Sequence, residues 1–166
     1  MTSLIITSIK NNNDILDEWV RYHLAIGFSH ILIYDNNSNL DDWPMSDYII
    51  SQCSNGYVTI IDKRNKQINV FNEFNKIYNK FDFYVIVNIN EYISNKTQIN
   101  NINELLKNEN SSFFVNVYPF DIKDNNEILN LKEYIKNNSR IFKKQNDDNE
   151  PILLKSLFIK KILSVE

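Results

Sequence analysis

Five consecutive apolar residues, Phe83-Tyr84-Val85-Ile86-Val87, leave no polar position with which a strand could face water. Such a run reads as a central strand buried on both faces, the pattern of a parallel sheet covered by helices. Three further short apolar, β-branched runs precede it, at Ser3 to Ile9, His30 to Tyr34 and Tyr57 to Ile61. Segments of helical period lie between them. Asp14 stands at an N-cap position ahead of Ile15, Leu16, Trp19, Val20, His23 and Leu24, and Gly27 closes that helix. Pro44 is expected to open a short helix through Ile50. Gln67 to Lys80 carries Val70, Phe71, Phe74, Ile77 and Tyr78 at helical spacing. The order β-α-β-α-β-α-β predicts an α/β fold, a mostly parallel sheet flanked by helices.

The second half is less regular. Ile102 to Leu106 reads as a helical turn, Phe113 to Tyr118 as a strand and Glu127 to Ile135 as a helix. Gln145 to Asn149 reads as a polar loop and Pro151 to Ile162 as an apolar closing segment. With no internal repeat and no composition break, residues 1–166 are expected to form a single domain.

Charge and composition remove several function classes. With 18 basic against 21 acidic residues and no basic cluster, the chain lacks the electrostatic footprint of a nucleic-acid or anionic-membrane binder. Cys53 is the single cysteine, so neither an intrachain disulfide nor a cysteine metal site can form, and it reads as a small buried apolar residue. No apolar run approaches the ~18 residues of a membrane span. Met1 to Thr7 lacks the basic start and small-residue cleavage site of a secretory signal, so a reducing, cytoplasmic setting is expected. The abundant asparagines are scattered and read as codon bias. The N-x-S/T sequons at Asn36, Asn95, Asn110 and Asn137 are expected by chance in such a chain.

In doubly wound sheets, ligands bind beyond the carboxyl ends of the strands. Two polar clusters fall at those ends, Asp35-Asn36-Asn37 after the second strand and Asn88-Ile89-Asn90-Glu91 after the fourth. The sequence thus gathers polar residues where a nucleotide would sit.

The stretch from Ile9 to Gly27 includes Lys10-Asn11-Asn12 and Leu16-Asp17-Glu18-Trp19-Val20-Arg21-Tyr22-His23. It resembles the opening of the family-2-like and family-92 glycosyltransferases, roughly K-N-E, then L-x-E-W-x-x-Y-H, then a glycine. Leu32-Ile33-Tyr34-Asp35-Asn36-Asn37-Ser38 resembles their Y-D-N-x-S, and Asn88-Ile89-Asn90-Glu91-Tyr92 aligns with their D-x-D-E-F. Beyond residue 93 the likeness thins to Asn103-Glu104-Leu105-Leu106, Phe114 to Tyr118 and Lys155-Ser156-Leu157. The resemblance implies a GT-A fold with a nucleotide-sugar-binding half over residues 1–93 and a reduced acceptor-side half over 94–166. By position, Lys10 and Asn11 would border the nucleotide of a UDP-sugar donor, and Asp35 would approach its uracil or ribose. Asn88 and Asn90 would lie at the pyrophosphate, and Asn90 with Glu91 would be what remains of a metal site. Glu18, Trp19, Tyr22 and His23 share one helix and are expected to pack rather than to bind ligand.

Departures from the pattern cluster where the chemistry should be. The family's D-x-D carboxylates hold a divalent ion that neutralises the leaving diphosphate. Here both are amides, which can coordinate Mn²⁺ or Mg²⁺ but bring no charge, so metal affinity is expected to be weakened or lost. Asn12 replaces the family's glutamate, and Val117 to Asp121 lacks the glycine of its W-x-x-F-G. The sequence ends at Glu166, ahead of where a last motif with a histidine would follow. The expectation is a glycosyltransferase-like protein, active or reduced to a binding or scaffolding module, with a partner chain as one source of an acceptor site. If it is active without an ion, Lys10, Lys96 or Lys155 would supply the positive charge. Asp121 and Asp124 read as solvated turn residues, so no general base is assigned.

Overall fold

A computed structural model describes residues 1–11, 13–36, 38, 46–62, 77, 80–95, 101–109, 111–120, 139–144 and 152–162. The strands are β1 (Ser3–Ile9), β2 (His30–Asp35), β3 (Val58–Asp62), β4 (Phe83–Ile86), β5 (Glu91–Asn95), β6 (Phe113–Phe120), β7 (Ser139–Lys144) and β8 (Ile152–Ile162). The helices are α1 (Asn13–Ala25), α2 (Asp47–Ser54) and α3 (Ile102–Leu106). The strands form one sheet in the order β3-β2-β1-β4-β7-β6-β8-β5. The first four are mutually parallel, as the alternation of strand and helix requires. β7 runs antiparallel to β4 and β6, β8 parallel to β6, and β5 antiparallel to β8.

α1 and α2 cover one face of the parallel strands, packing Leu16, Trp19, Val20 and Ile49 against Ile5, Ile9, Ile31, Ile33, Phe83 and Val85. The other face buries Leu4, Ile6, Leu32 and Ile61, with Ile77 packed against them. The expected helix from Gln67 to Lys80 lies outside the described residues except at Ile77, which is helical, and Lys80. β4 sits mid-sheet as its apolar run implied, but it is not sealed on both sides. Phe83 and Val85 are fully buried, whereas Ile86 on the alternate face is 55% exposed.

α1 ends in a Schellman turn. Gly27, at φ +95°, donates to Leu24 O, and Phe28 N–H reaches back to His23 O. A Cβ on Gly27 would come within 2.7 Å of Asn101 Oδ1, which caps α3 by accepting from Asn103 N. Asn103 Nδ2 in turn donates to Gly27 O and Ser29 Oγ. Gly27→Ala should therefore cost about 2 kcal/mol from the left-handed backbone and the disturbed cap. Urea unfolding of the variant against the parent protein measures it.

Several elements differ from the sequence reading. α2 begins at Asp47, not near Pro44, because Ser46 in extended conformation offers its Oγ to Ile49 N as N-cap. It also runs four residues past Ile50. The closing apolar segment is strand β8, and β5 and β7 were not foreseen as strands. The expected helix Glu127 to Ile135 and the loop Gln145 to Asn149 lie outside the described residues. No helix among the described residues is long and apolar enough to cross a membrane.

Candidate functional site

The strand order reverses between β1 and β4: from β1 the chain moves to β2 and β3 on one side, then returns to place β4 on the other. The carboxyl ends of β1 and β4 therefore flank the topological switch point, where open α/β sheets hold their ligands. Residues 10 and 11 leave β1 there, and the turn Asn88 to Glu91 leaves β4 there.

On the β1 side the backbone is laced to the end of β2. Asn36 N donates to Ile9 O at 2.8 Å, Asn11 N to Ser38 Oγ at 3.0 Å, and Ser38 N to Asp35 Oδ1 at 3.1 Å. Asn11 sits at φ 55°, a left-handed conformation that asparagine tolerates better than most residues. Asp35 is fully buried, while Lys10, Asn11 and Asn36 are exposed. The structure thus brings Lys10, Asn11 and Asp35 together, with Asp35 beneath the loop as its organiser and the other two at the surface. Ser38 is the link that sequence reasoning did not single out. Asp62, in register with Asp35 at the end of β3, was also passed over.

On the β4 side Val87 N still donates to Ile6 O, and the chain then folds into a tight turn. Glu91 N donates to Asn88 O at 3.0 Å. The Glu91 carboxylate bends back so that Oε2 accepts from Asn88 N at 2.9 Å and Oε1 from Asn88 Nδ2 at 3.1 Å. Glu91 is fully buried, Asn90 half-buried and Asn88 exposed. This donor set does not fit a divalent ion. The one carboxylate of the turn directs both oxygens at Asn88, and the other two side chains are neutral amides. Among the described residues no three His, Cys, Asp or Glu side chains gather as metal ligands.

The turn is fixed from beneath by α1. Trp19 Nε1 donates to Glu91 O at 2.9 Å, and Tyr22 Oη to Ile93 O at 2.6 Å. His23 Nδ1 bonds Trp19 O at 2.9 Å, which makes it the protonated nitrogen, and bare Nε2 accepts from Ile93 N at 3.5 Å. Glu91 and Ile93 point these groups away from β8, because alternate residues of an antiparallel strand address opposite neighbours. Three side chains of one helix thus satisfy the outer rim of β5. His23 lies among the rings of Trp19, Tyr22, Phe28 and Tyr92 at 4.2–5.9 Å. Burial pushes its pKa down to about 3, against a smaller opposing effect of the Trp19 carbonyl. Burial raises the Tyr22 phenol, partly offset by a bond with the Ser94 side chain. It raises Tyr92 too, with Glu18 and Tyr22 adding to the effect. The expected packing role holds for Trp19, Tyr22 and His23, with a directional component that composition did not announce, but not for Glu18, which is exposed. A signal existed, since a buried indole N–H or phenol needs an acceptor. Lys96, Asp121 and Asp124 lie outside the described residues, and Lys155 falls on β8.

This architecture, an α/β fold with parallel strands flanked by helices, is shared with solved structures. Among solved structures the chain is similar to S. aureus TarS residues 1–349 in complex with UDP, at a TM-score of 0.57 and 12% identity over 99% of the chain. It spans 61% of that TarS chain. An apo structure of the bifunctional glycosyltransferase WbbM aligns at a TM-score of 0.41 and 11% identity, over 69% of this chain and 23% of that one. No protein-family model and no curated protein sequence matches the chain.

Proposed function

We propose that the chain binds a nucleotide-activated sugar, with UDP as the nucleotide, and represents the donor half of a glycosyltransferase. The observation that carries this reading is the pair of polar loops flanking the switch point of a fold shared along 99% of the chain with a UDP-bound structure. Lys10 and Asn11 border the nucleotide and Asp35 orders the loop that meets its uracil or ribose. Asn88 and Asn90 face the diphosphate side. A carboxylate that orients backbone N–H groups suits this work, because nucleosides are read by hydrogen bonds of fixed direction. An acceptor site supplied by a partner chain accompanies this reading and predicts a stable hetero-oligomer.

Calorimetric titration with UDP tests it. Saturable binding is expected, weakened about tenfold or more in Asp35→Ala, where the Ser38 N–H loses its charged acceptor. Absence of UDP binding by the parent protein would sink the reading. The replacement of two carboxylates by amides favours a second reading, a module that binds the nucleotide sugar without turning it over. Release of UDP from UDP-sugars separates the two: binding with turnover selects the transferase, and binding without it selects the module.

A further inference from the structure

The Asn88–Glu91 turn poses a question of charge. Glu91 is fully buried, and a buried carboxylate must be compensated by donors or by a positive charge. Asn88 supplies two such donors, its backbone N–H and its side-chain amide, at 2.9 and 3.1 Å from the two carboxylate oxygens. A carboxylate in place of that amide would set a second negative charge about 3 Å from the first. Two carboxylates so close cannot both stay ionised unless a cation or a shared proton lies between them. An aspartate at position 88 would therefore require an ion or a shared proton at that carboxylate pair, whereas asparagine removes the need for either.

We propose that Asn88 takes the place of a divalent cation at this turn, so that the site is assembled and takes its nucleotide without metal. The metal-ion dependence implied by the family resemblance is thus replaced by an internal amide–carboxylate clasp. The rest of the turn agrees with a site built to stand alone. Glu91 is held at its N–H by Asn88 O, at its carbonyl by Trp19 Nε1 and at its carboxylate by Asn88. The clasp stands on geometry alone, while its consequence for the nucleotide rests on the proposed UDP site.

The test is thermal unfolding of the parent protein, Asn88→Asp and Glu91→Gln, in chelator and in millimolar Mn²⁺ or Mg²⁺, with UDP titrations of the parent protein under both conditions. The parent protein should unfold at the same temperature with and without ion. Asn88→Asp should lose about 4–8 °C in chelator and regain it saturably with Mn²⁺. Glu91→Gln, which removes the charge that Asn88 compensates, should not respond to ion. Saturable stabilisation of the parent protein by Mn²⁺ that disappears in Glu91→Gln would overturn the inference even if Asn88→Asp fails to fold. An Asn88→Asp variant as stable as the parent protein in chelator would overturn it equally. Equal UDP affinity in chelator and in Mn²⁺ supports both the clasp and the nucleotide site. Binding of UDP that appears only with Mn²⁺ overturns the metal-free site and leaves the proposed function standing. No UDP binding, with the expected ion response of Asn88→Asp, overturns the proposed function and leaves the clasp standing.

Discussion

Acidification from pH 7 toward pH 4 should strip the protein of much of its stability, and His23→Gln should remove a large part of that sensitivity. The His23 pKa is near 6.5 in the unfolded chain and lowered to about 3 in the fold, so between these values the unfolded state binds the extra proton. Stability then rises with pH across the window, by ~1.4 kcal/mol per unit per proton. It is fully present above pH 6.5 and lost as the pH falls toward 3. The whole span amounts to about 5 kcal/mol as an upper figure, comparable with the total stability of many domains. The atomic cause is the bond pattern. A proton added to Nε2 would face Ile93 N–H, donor against donor, while Nδ1–H is already committed to Trp19 O. The surrounding rings of Trp19, Tyr22, Phe28 and Tyr92 offer no carboxylate to stabilise the imidazolium. Urea titrations at a series of pH values measure the slope. Identical slopes for the parent protein and His23→Gln would refute this account, since other acidic groups titrate in both.

Trp19→Ala should be the most damaging single truncation, costing about 3–5 kcal/mol, with Trp19→Phe costing only about 1–2 kcal/mol. Trp19 is fully buried in the core between α1 and the sheet, so its truncation takes the largest buried side chain out of that packing. It also leaves Glu91 O without the indole donor. The phenylalanine variant keeps most of the volume and isolates the hydrogen bond. Because that bond ends on the turn that carries Asn88, Trp19→Phe should weaken UDP binding more than its modest loss of stability would suggest. Chemical denaturation read beside calorimetry separates the two effects. Unaltered UDP affinity in Trp19→Phe would mean that the turn holds its shape without help from α1.

The parallel half of the fold was legible because each strand there is buried on at least one face, and burial writes itself into sequence as apolar runs. β1, β2 and β4 begin where those runs begin, and Gly27 marks the end of α1 for a reason that is visible in its φ. β5 and β7 were not legible. Glu91 to Asn95 and Ser139 to Lys144 mix charged and apolar residues, and their pairing is decided by strands far away in sequence. Of the site, the positions at the strand ends could be read, since topology alone puts Asp35 and Asn88 there. The directions of Asp35 and Glu91 could not. Both turn inward to bond with residues three positions away, Ser38 and Asn88, a choice set by loop geometry rather than by residue type.

The β5 edge of the sheet offers little to another chain. On β5, the outward carbonyls of Glu91 and Ile93 and the N–H of Ile93 are already occupied by Trp19, Tyr22 and His23. A strand from a neighbouring molecule arriving there would find its hydrogen bonds taken and a helix in the way. Open edges are where folded sheets recruit one another into aggregates, and natural proteins cover or charge them. The aromatic face of α1 therefore acts as a guard against runaway sheet growth on that flank. Protonation of His23 would unlatch one of its three bonds, so acid would expose a sticky edge at the moment it weakens the fold.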